Sequence, residues 1–221
     1  MSLTRLLSDT EEGIAILDTI FGIILFRKLS KELRIIFYFT AFGAFTEIFI
    51  DFYKVHIDRV TMPIGHFYLT FSIIILVIFY RKVLEGFVRK GVIAFFGILY
   101  TIYAVINPIF IQSLKEFPNI LGASGAIMIV IFSLLLFVKI MAEARIEKLG
   151  REPIVWINSA ILLYYAGNFF YYMLININVK YFIAFAKHTV NFYNILNIVL
   201  YVLIGGSFLL TWRNQKHLQR T

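Results

Sequence analysis

The chain has 221 residues, of which 60% are hydrophobic and only 15% are charged. An ordinary soluble domain has about a quarter of its residues charged, so this composition excludes one and predicts an integral membrane protein. The net charge of +8 does not indicate nucleic acid as a partner, because the chain offers no cationic soluble face to bind it. Cysteine is absent, which excludes disulfides and thiolate metal sites.

Apolar runs of about 20 residues, the length that crosses a hydrocarbon core of about 30 Å, follow one another along the whole chain. They predict an all-α membrane protein with seven transmembrane helices, at residues 8–26, 33–53, 62–80, 91–110, 121–141, 154–175 and 188–212. The first run lacks a basic leader and a small-residue cleavage site, so we expect a retained helix rather than a signal peptide. We expect residues 1–221 to form one transmembrane domain, a multi-pass protein of the cell membrane whose main partner is the lipid bilayer.

The positive charges predict the orientation of these spans. Of the 21 Lys and Arg residues, 15 lie in intervals that would share one side of the membrane: 27–34, 81–90, 139–151 and 213–220. By the positive-inside rule that side is cytoplasmic, with the N-terminus outside and the C-terminus inside. Trp156 and Trp212 fall at the predicted inner boundaries, where indole side chains anchor well.

Two parts of the chain resemble each other. F-G-A-F at 42–45 corresponds to A-G-N-F at 166–169, and H-F-Y-L-T-F-S-I at 66–73 corresponds to N-F-Y-N-I-L-N-I at 191–198, with nearly the same spacing. This predicts a three-helix unit used twice in parallel, at 8–80 and 121–212, with 91–110 as a linker helix. Chance similarity between aromatic-rich apolar segments is the alternative.

This 3+1+3 order resembles that of SWEET-type sugar transporters and PnuC-type nicotinamide riboside transporters, although spans 1 and 5 lack the prolines of the sugar carriers. A second resemblance rests on H-x-Y at 66–68, W-I-x-x-x-x-L-x-Y-x-x-G-N at 156–168 and N-I at 197–198. These motifs are similar to those of a group of uncharacterised bacterial seven-helix membrane proteins, in which an acidic residue stands in place of Ser72. The resemblance covers most of the chain and implies a bacterial inner membrane, but no activity.

Ionisable side chains within the predicted spans indicate functional sites, because each costs about 2.5 to 3.5 kcal/mol at bilayer depth and normally faces the bundle interior. Asp18 lies near the middle of the first span, on the same face as Glu11. On the second span, Gly43, Glu47 and Asp51 follow a four-residue spacing that places them on one stripe. Two carboxylates one turn apart in an apolar run are the least expected feature of this sequence.

The polar residues of the later spans also concentrate toward their outer ends, which predicts a polar cavity open to the outside and closed below by apolar side chains. The candidate ligand-binding residues are Asp18, Glu47, Asp51, His66, Asn168, Asn191 and Asn194. Two of them have a structural alternative. Asp51 is equally consistent with a headgroup-level pair with Lys54, and Glu47 with a hydrogen bond to His66 or to an asparagine of the last span.

No motif in the chain indicates a nucleotide, retinal or nucleophile site, so we predict no catalytic residue and no cofactor. A metal site is not predicted either, because no two histidines have ligand spacing. We expect a non-enzymatic protein that binds a small polar or amphipathic ligand from the outer side, as a receptor-like sensor or a carrier. The alternatives are a membrane enzyme acting on a lipid or lipid-linked substrate, with Glu47 or Asp51 and His66 as acid and base, and a structural subunit that binds a membrane protein partner.

Overall fold

In the computed structural model the chain forms seven long helices joined by short connections. The structure describes residues 2–143 and 149–218, apart from the side chains of 183, 184 and 215–218. The helices are α1 (Leu3–Leu25), α2 (Lys31–His56), α3 (Met62–Val83), α4 (Lys90–Phe110), α5 (Asn119–Glu143), α6 (Pro153–Tyr181) and α7 (Ile183–Leu218). Within those ranges there is no strand, so the all-α prediction is confirmed. Three cations assigned to the basic side, Arg145, Lys148 and Arg220, lie outside the described residues.

Six of the helices, α2 to α7, are long and apolar enough to cross a membrane. The chain is thus a multi-pass membrane protein by the length and composition of its helices. The helix α1 has the length, with 23 residues, but four acidic side chains lower its hydropathy. Its buried face carries Glu11 and Asp18, whereas Phe21 and Ile24 on the other face are exposed. An apolar outer face around a polar inner face suits contact with lipid. That α1 also crosses the membrane, as the seventh span, stays a prediction.

The helices extend beyond the predicted spans. α1 begins at Leu3, ahead of the predicted start at 8, and α7 covers 36 residues. At about 1.5 Å per residue, α7 is about 54 Å long and exceeds the hydrocarbon core. Hydropathy detects only the segment of a helix that must be apolar, so it misses turns that continue into the interface.

Six helices close a ring in the order α1, α2, α3, α5, α6, α7, with α7 packed back on α1. The helix α4 lies outside this ring, mainly against α3, and barely touches α5. An apolar groove of about 450 Å³ separates α4 from α5. The three helices that precede α4 in the sequence, α1 to α3, therefore pack in consecutive order, and so do the three that follow it, α5 to α7.

One end of the ring collects the basic intervals of the sequence. A pocket of about 510 Å³ at this end is lined by residues of α2, α3, α5, α6 and α7, including Lys82 and Lys139. Lys139 donates hydrogen bonds of 2.8 Å to the carbonyls of Val83 and Glu85, which caps the end of α3. In the loop that follows, hydrogen bonds from Lys90 and Lys82 hold the pKa of the Glu85 carboxyl below its usual value. We call this end the basic end.

In the half of the bundle that adjoins the basic end, a hydrogen-bonded polar cluster joins three helices. Asn158 of α6 is fully buried and accepts hydrogen bonds of 2.9 Å from the hydroxyls of Tyr80 on α3 and Ser133 on α5. Its amide donates a 3.0 Å hydrogen bond to the Ser133 carbonyl. Such bonds between helices stabilise a bundle surrounded by lipid. The inner halves of the predicted spans are mostly apolar in sequence, and none of the three residues of this cluster is among the predicted candidates.

Packing between α5 and α6 depends on a glycine that admits a tyrosine ring. A Cβ atom at Gly122 would lie 2.6 Å from the Tyr172 ring, which stacks on Phe117 and has little room to move. We expect Gly122→Ala to lower the free energy of unfolding by about 1 to 3 kcal/mol. Gly13→Ala is the matched control, because nothing lies within 4 Å of that position. It should leave the thermal unfolding midpoint of the purified protein unchanged or slightly raised, and equal midpoints for the two variants would contradict this packing.

Candidate functional site

The helices α1, α2 and α7 meet at a contact between two alanines and a tyrosine. Ala15, Ala44 and Tyr201 are all buried and form one apolar cluster. Because alanine is small, α1 and α2 approach closely at this level. Glu11 and Glu47 each lie one turn from these alanines, on the same helix faces and on the side away from the basic end.

The two glutamates consequently face each other inside the bundle. Glu11 is 8% exposed and Glu47 is half-buried. Their carboxylates lie close enough to repel each other electrostatically. The structure thus keeps the predicted Glu47 in the interior and adds Glu11 beside it.

Tyrosine hydroxyls from α3 and α7 meet over a glycine of α2. A Cβ atom at Gly43 would lie 2.6 Å from the Tyr201 hydroxyl and 3.7 Å from that of Tyr68. The missing side chain therefore makes the space in which both hydroxyls reach α2. Both tyrosines lie within electrostatic range of Glu11 and Glu47.

Two further tyrosines complete this arrangement on the side of α6. The rings of Tyr171 on α6 and Tyr193 on α7 stack with their centroids 4.6 Å apart, and both lie within electrostatic range of Glu11. We define the interior site by the residues that surround the glutamate pair: Glu11, Glu47, Tyr68, Tyr171, Tyr193 and Tyr201.

The interior site retains accessible surface. Glu47, Tyr68 and Tyr193 are only half-buried although they lie among groups from several helices. Beside the Tyr68 hydroxyl lies that of Ser72, which is 2% exposed and has no hydrogen-bond partner.

Asp18 lies on the other side of the alanine contact, toward the basic end. It is 5% exposed and packs against the backbone of Gly205 on α7. Its Oδ2 atom has no hydrogen-bond partner. The structure thus brings Asp18 to the α1–α7 interface, separated from the glutamate pair by the layer of Ala15 and Tyr201.

Asp51 and Asn191 lie at the outer margin of the interior site. Asp51 is exposed and pairs with Lys54 at 3.1 Å, so the structure does not bring it to Glu47. Asn191 accepts a 2.7 Å hydrogen bond from the Thr4 hydroxyl, which ties the start of α1 to α7. Asn194 is buried on the same face of α7 as Tyr201, two turns farther from the basic end.

His66 belongs to a different neighbourhood from Glu47. Its Nε2 atom lies 3.1 Å from the carbonyl oxygen of Glu116 in the α4–α5 connection, and its Nδ1 atom has no partner. His66 and Tyr68 are two residues apart, about 200° around α3, so the histidine points away from the interior site. This placement gives no support to an acid and base pair of Glu47 and His66.

Asn168 is the most unusual of the predicted residues. It is fully buried on α6, and neither its amide nitrogen nor its amide oxygen has a hydrogen-bond partner. Most buried polar groups are hydrogen-bonded, and an unpaired one needs a specific explanation. The Tyr172 hydroxyl, one turn away on the same helix, is also buried without a partner.

Sequence reasoning did not include Glu11 and the tyrosines among the candidates. Glu11, Ala15, Asp18 and Gly22 follow the three- and four-residue spacing of a single helix face, and this signal could have identified Glu11. The tyrosines gave no such signal, because tyrosine is generally common at membrane interfaces. Their role depends on how far each ring reaches between helices, which no local pattern encodes.

Two further findings concern the kind of site this is. Among the side chains that the structure describes, no group of three or more His, Asp and Glu residues is placed to hold a metal ion. Comparison of the chain with protein-family models, with curated proteins and with solved structures gave no match.

Two asparagines of α6 allow a direct test of which buried amide is structural. Asn158→Leu should lower the thermal unfolding midpoint, because it leaves the Tyr80 and Ser133 hydroxyls without their partner, at about 1 to 3 kcal/mol each. Asn168→Leu should leave the midpoint unchanged or raise it, because the native amide has no partner to lose. Equal destabilisation of the two purified variants would show that Asn168 has a structural role.

Proposed function

We propose that this protein binds a small polar or amphipathic ligand inside its membrane-spanning bundle and acts as a carrier or a receptor-like sensor. The observation that carries the proposal is the meeting of Glu11 and Glu47 among tyrosines that retain accessible surface. Carboxylates at bilayer depth are costly, and those that persist usually mark a ligand or ion pathway.

The unpaired polar atoms near this site support binding rather than structure. The Asn158 cluster shows how this chain pairs a structural polar group, with every partner in place. By contrast, Asp18, Ser72 and Asn168 each have a buried polar atom without a partner. Ser72 lies beside Tyr68 and Asn168 lies one turn from Tyr171, both residues of the interior site, whereas Asp18 lies across the alanine contact. A ligand or water could satisfy the first two groups.

The ring of helices is consistent with a carrier and with a sensor, for different reasons. The matching order of α1 to α3 and α5 to α7 is what a parallel repeat predicts, and the interfaces between repeats commonly hold transporter sites. The pocket at the basic end lies beyond the contact of Ala15, Ala44 and Tyr201. A carrier must open this contact so that the interior site reaches the pocket, whereas a sensor can keep it closed.

We also propose that the basic end is cytoplasmic and that the protein resides in a bacterial inner membrane, with the N-terminus outside. The concentration of Lys and Arg at the helix ends that line one pocket supports this orientation. The interior site then lies in the outer half of the membrane, and a ligand would enter it from outside.

The absence of native cysteine permits an orientation test without background labelling. We expect Ser113→Cys, in the exposed α4–α5 connection, to react with a membrane-impermeant maleimide on intact cells. Phe87→Cys, in the α3–α4 connection at the basic end and 39% exposed, should react only after the membrane is permeabilised. The reverse pattern would contradict the proposed orientation.

The interior site can be tested with a broad ligand screen on the purified full-length protein. We expect at least one small compound to raise the thermal unfolding midpoint of the wild type, and Glu47→Gln to remove that shift because the variant lacks the carboxylate. Asp51→Asn is the matched control, one turn away on the same helix but exposed and paired with Lys54. A compound that stabilises Glu47→Gln as much as the wild type would remove Glu47 from the site.

A further inference from the structure

The interior site holds negative charge that the protein itself does not neutralise. Among the ion pairs of the described residues none involves Glu11 or Glu47, and the nearest cation whose charge acts on Glu47 is Lys54. Lys54 is exposed and already paired with Asp51 at 3.1 Å. The glutamate pair therefore lacks a cation of its own inside the bundle.

Two carboxylates close together in a low-dielectric interior do not both stay ionised without a cation. Such a pair is stabilised either by a proton or by another cation. A bound cation would take the place of that proton. The site can thus hold either a proton or a positively charged ligand.

The walls of the site favour an organic cation over a bare metal ion. Aromatic rings attract a cation, and four of them, Tyr68, Tyr171, Tyr193 and Tyr201, lie within electrostatic range of Glu11. Ca²⁺ takes six or more oxygen ligands, several of them carboxylates, and among the described side chains no group of three or more His, Asp and Glu residues is placed to hold a metal ion. The unpaired and buried Ser72 hydroxyl, next to Tyr68, offers an acceptor for an N–H group.

We propose that the ligand is a small organic cation, a protonated amine or a quaternary ammonium, which binds between Glu11 and Glu47 against the tyrosine rings and displaces the proton that the two carboxylates share. This inference rests on the proposed function and specifies its ligand. One cation enters and one proton leaves to the solvent, so the charge of the occupied site equals that of the empty one. No covalent bond forms or breaks other than the O–H bond of the released proton.

The proposal implies binding that strengthens as the pH rises, because the proton competes with the ligand. The charged and titratable groups that act on the pair, from each helix around it, are Glu12 of α1, Asp51 and Lys54 of α2, Tyr68 of α3, Tyr171 of α6, and Tyr193 and Tyr201 of α7. The tyrosines are neutral near physiological pH, and Asp51 and Lys54 offset each other. The pair itself therefore dominates the pH dependence.

Two cationic probes and two controls test the ligand class with the full-length protein in lipid nanodiscs. Choline and benzyltrimethylammonium should bind, as measured by calorimetry. Two controls should not bind. One is 3,3-dimethylbutan-1-ol, in which carbon replaces the charged nitrogen of choline, and the other is the anion benzoate. Glu47→Gln should weaken benzyltrimethylammonium binding about tenfold or more, whereas Asp51→Asn should not.

Proton release provides the second measurement. Titrations of benzyltrimethylammonium in two buffers with different ionisation heats should show up to one proton released per cation bound. The Glu11→Gln and Glu47→Gln double variant should release none. Tyr193→Leu should weaken binding, whereas Tyr193→Phe, which keeps the aromatic ring, should retain it.

The outcomes separate this inference from the proposed function. Dimethylbutanol binding as tightly as choline, or cation binding without proton release, would overturn the inference. A neutral or anionic compound that stabilises the wild type but not Glu47→Gln would overturn it while leaving the proposed function in place. Failure of every compound, the cationic probes included, would overturn both. If Glu47→Gln does not fold, Glu11→Gln with Asp51→Asn provides the same comparison.

Discussion

The structure depends on the cost of placing carboxylates in hydrocarbon. Glu11 and Asp18 can enter the membrane only if α1 turns them toward other helices, because an acidic side chain facing lipid is strongly unfavourable. This constraint fixes the rotation of α1 and leaves Phe21 and Ile24 on its outer surface. It also requires small partners at the contact, which Ala15 supplies on α1 itself and Gly205 on α7. The closure of the ring between its first and last helices follows from that requirement.

Polar groups are used in two ways along the depth of the bundle. Near the basic end, Asn158, Tyr80 and Ser133 satisfy one another and join three helices, an arrangement that provides rigidity. Around the glutamate pair, a serine and an asparagine lie in the interior with atoms left unpaired, and so does Asp18 on the other side of the alanine contact. Incomplete satisfaction lowers stability locally, as is common for regions that bind ligands or move. The first group resembles a scaffold, and the second has the properties of a site.

The sequence was informative where a single helix decides the outcome. The apolar runs located six spans, and the spacing within α1 and α2 placed Asp18 and Glu47 in the interior. The same spacing failed to rank Asp51, because four residues advance slightly more than one turn and the stripe drifts toward the surface near the helix end. The predictions that involve contacts between helices were harder. Nothing local to His66 indicates a bond to the Glu116 carbonyl, which lies 50 residues away in sequence.

The tyrosines show more clearly that contacts between helices cannot be predicted from local sequence. Whether a ring lies at the interface or crosses the bundle depends on the space opposite, and for Tyr201 that space is created by Gly43 on a helix far away in sequence. A composition rich in tyrosine is compatible with either arrangement. Only the packing of α2, α3, α6 and α7 together turns four ordinary residues into the wall of a candidate site.

The contact between α1 and α7 has a consequence for how the protein is made. The helix α1 leaves the ribosome first, but it packs on α7, which is synthesised last, so the ring closes only after the whole chain is complete. The helices α5 to α7 are neighbours in both sequence and space and can assemble early through local contacts. Until then Glu11 and Asp18 have only part of their final surroundings. The two buried carboxylates of α1 are thus among the last parts of the fold to be secured.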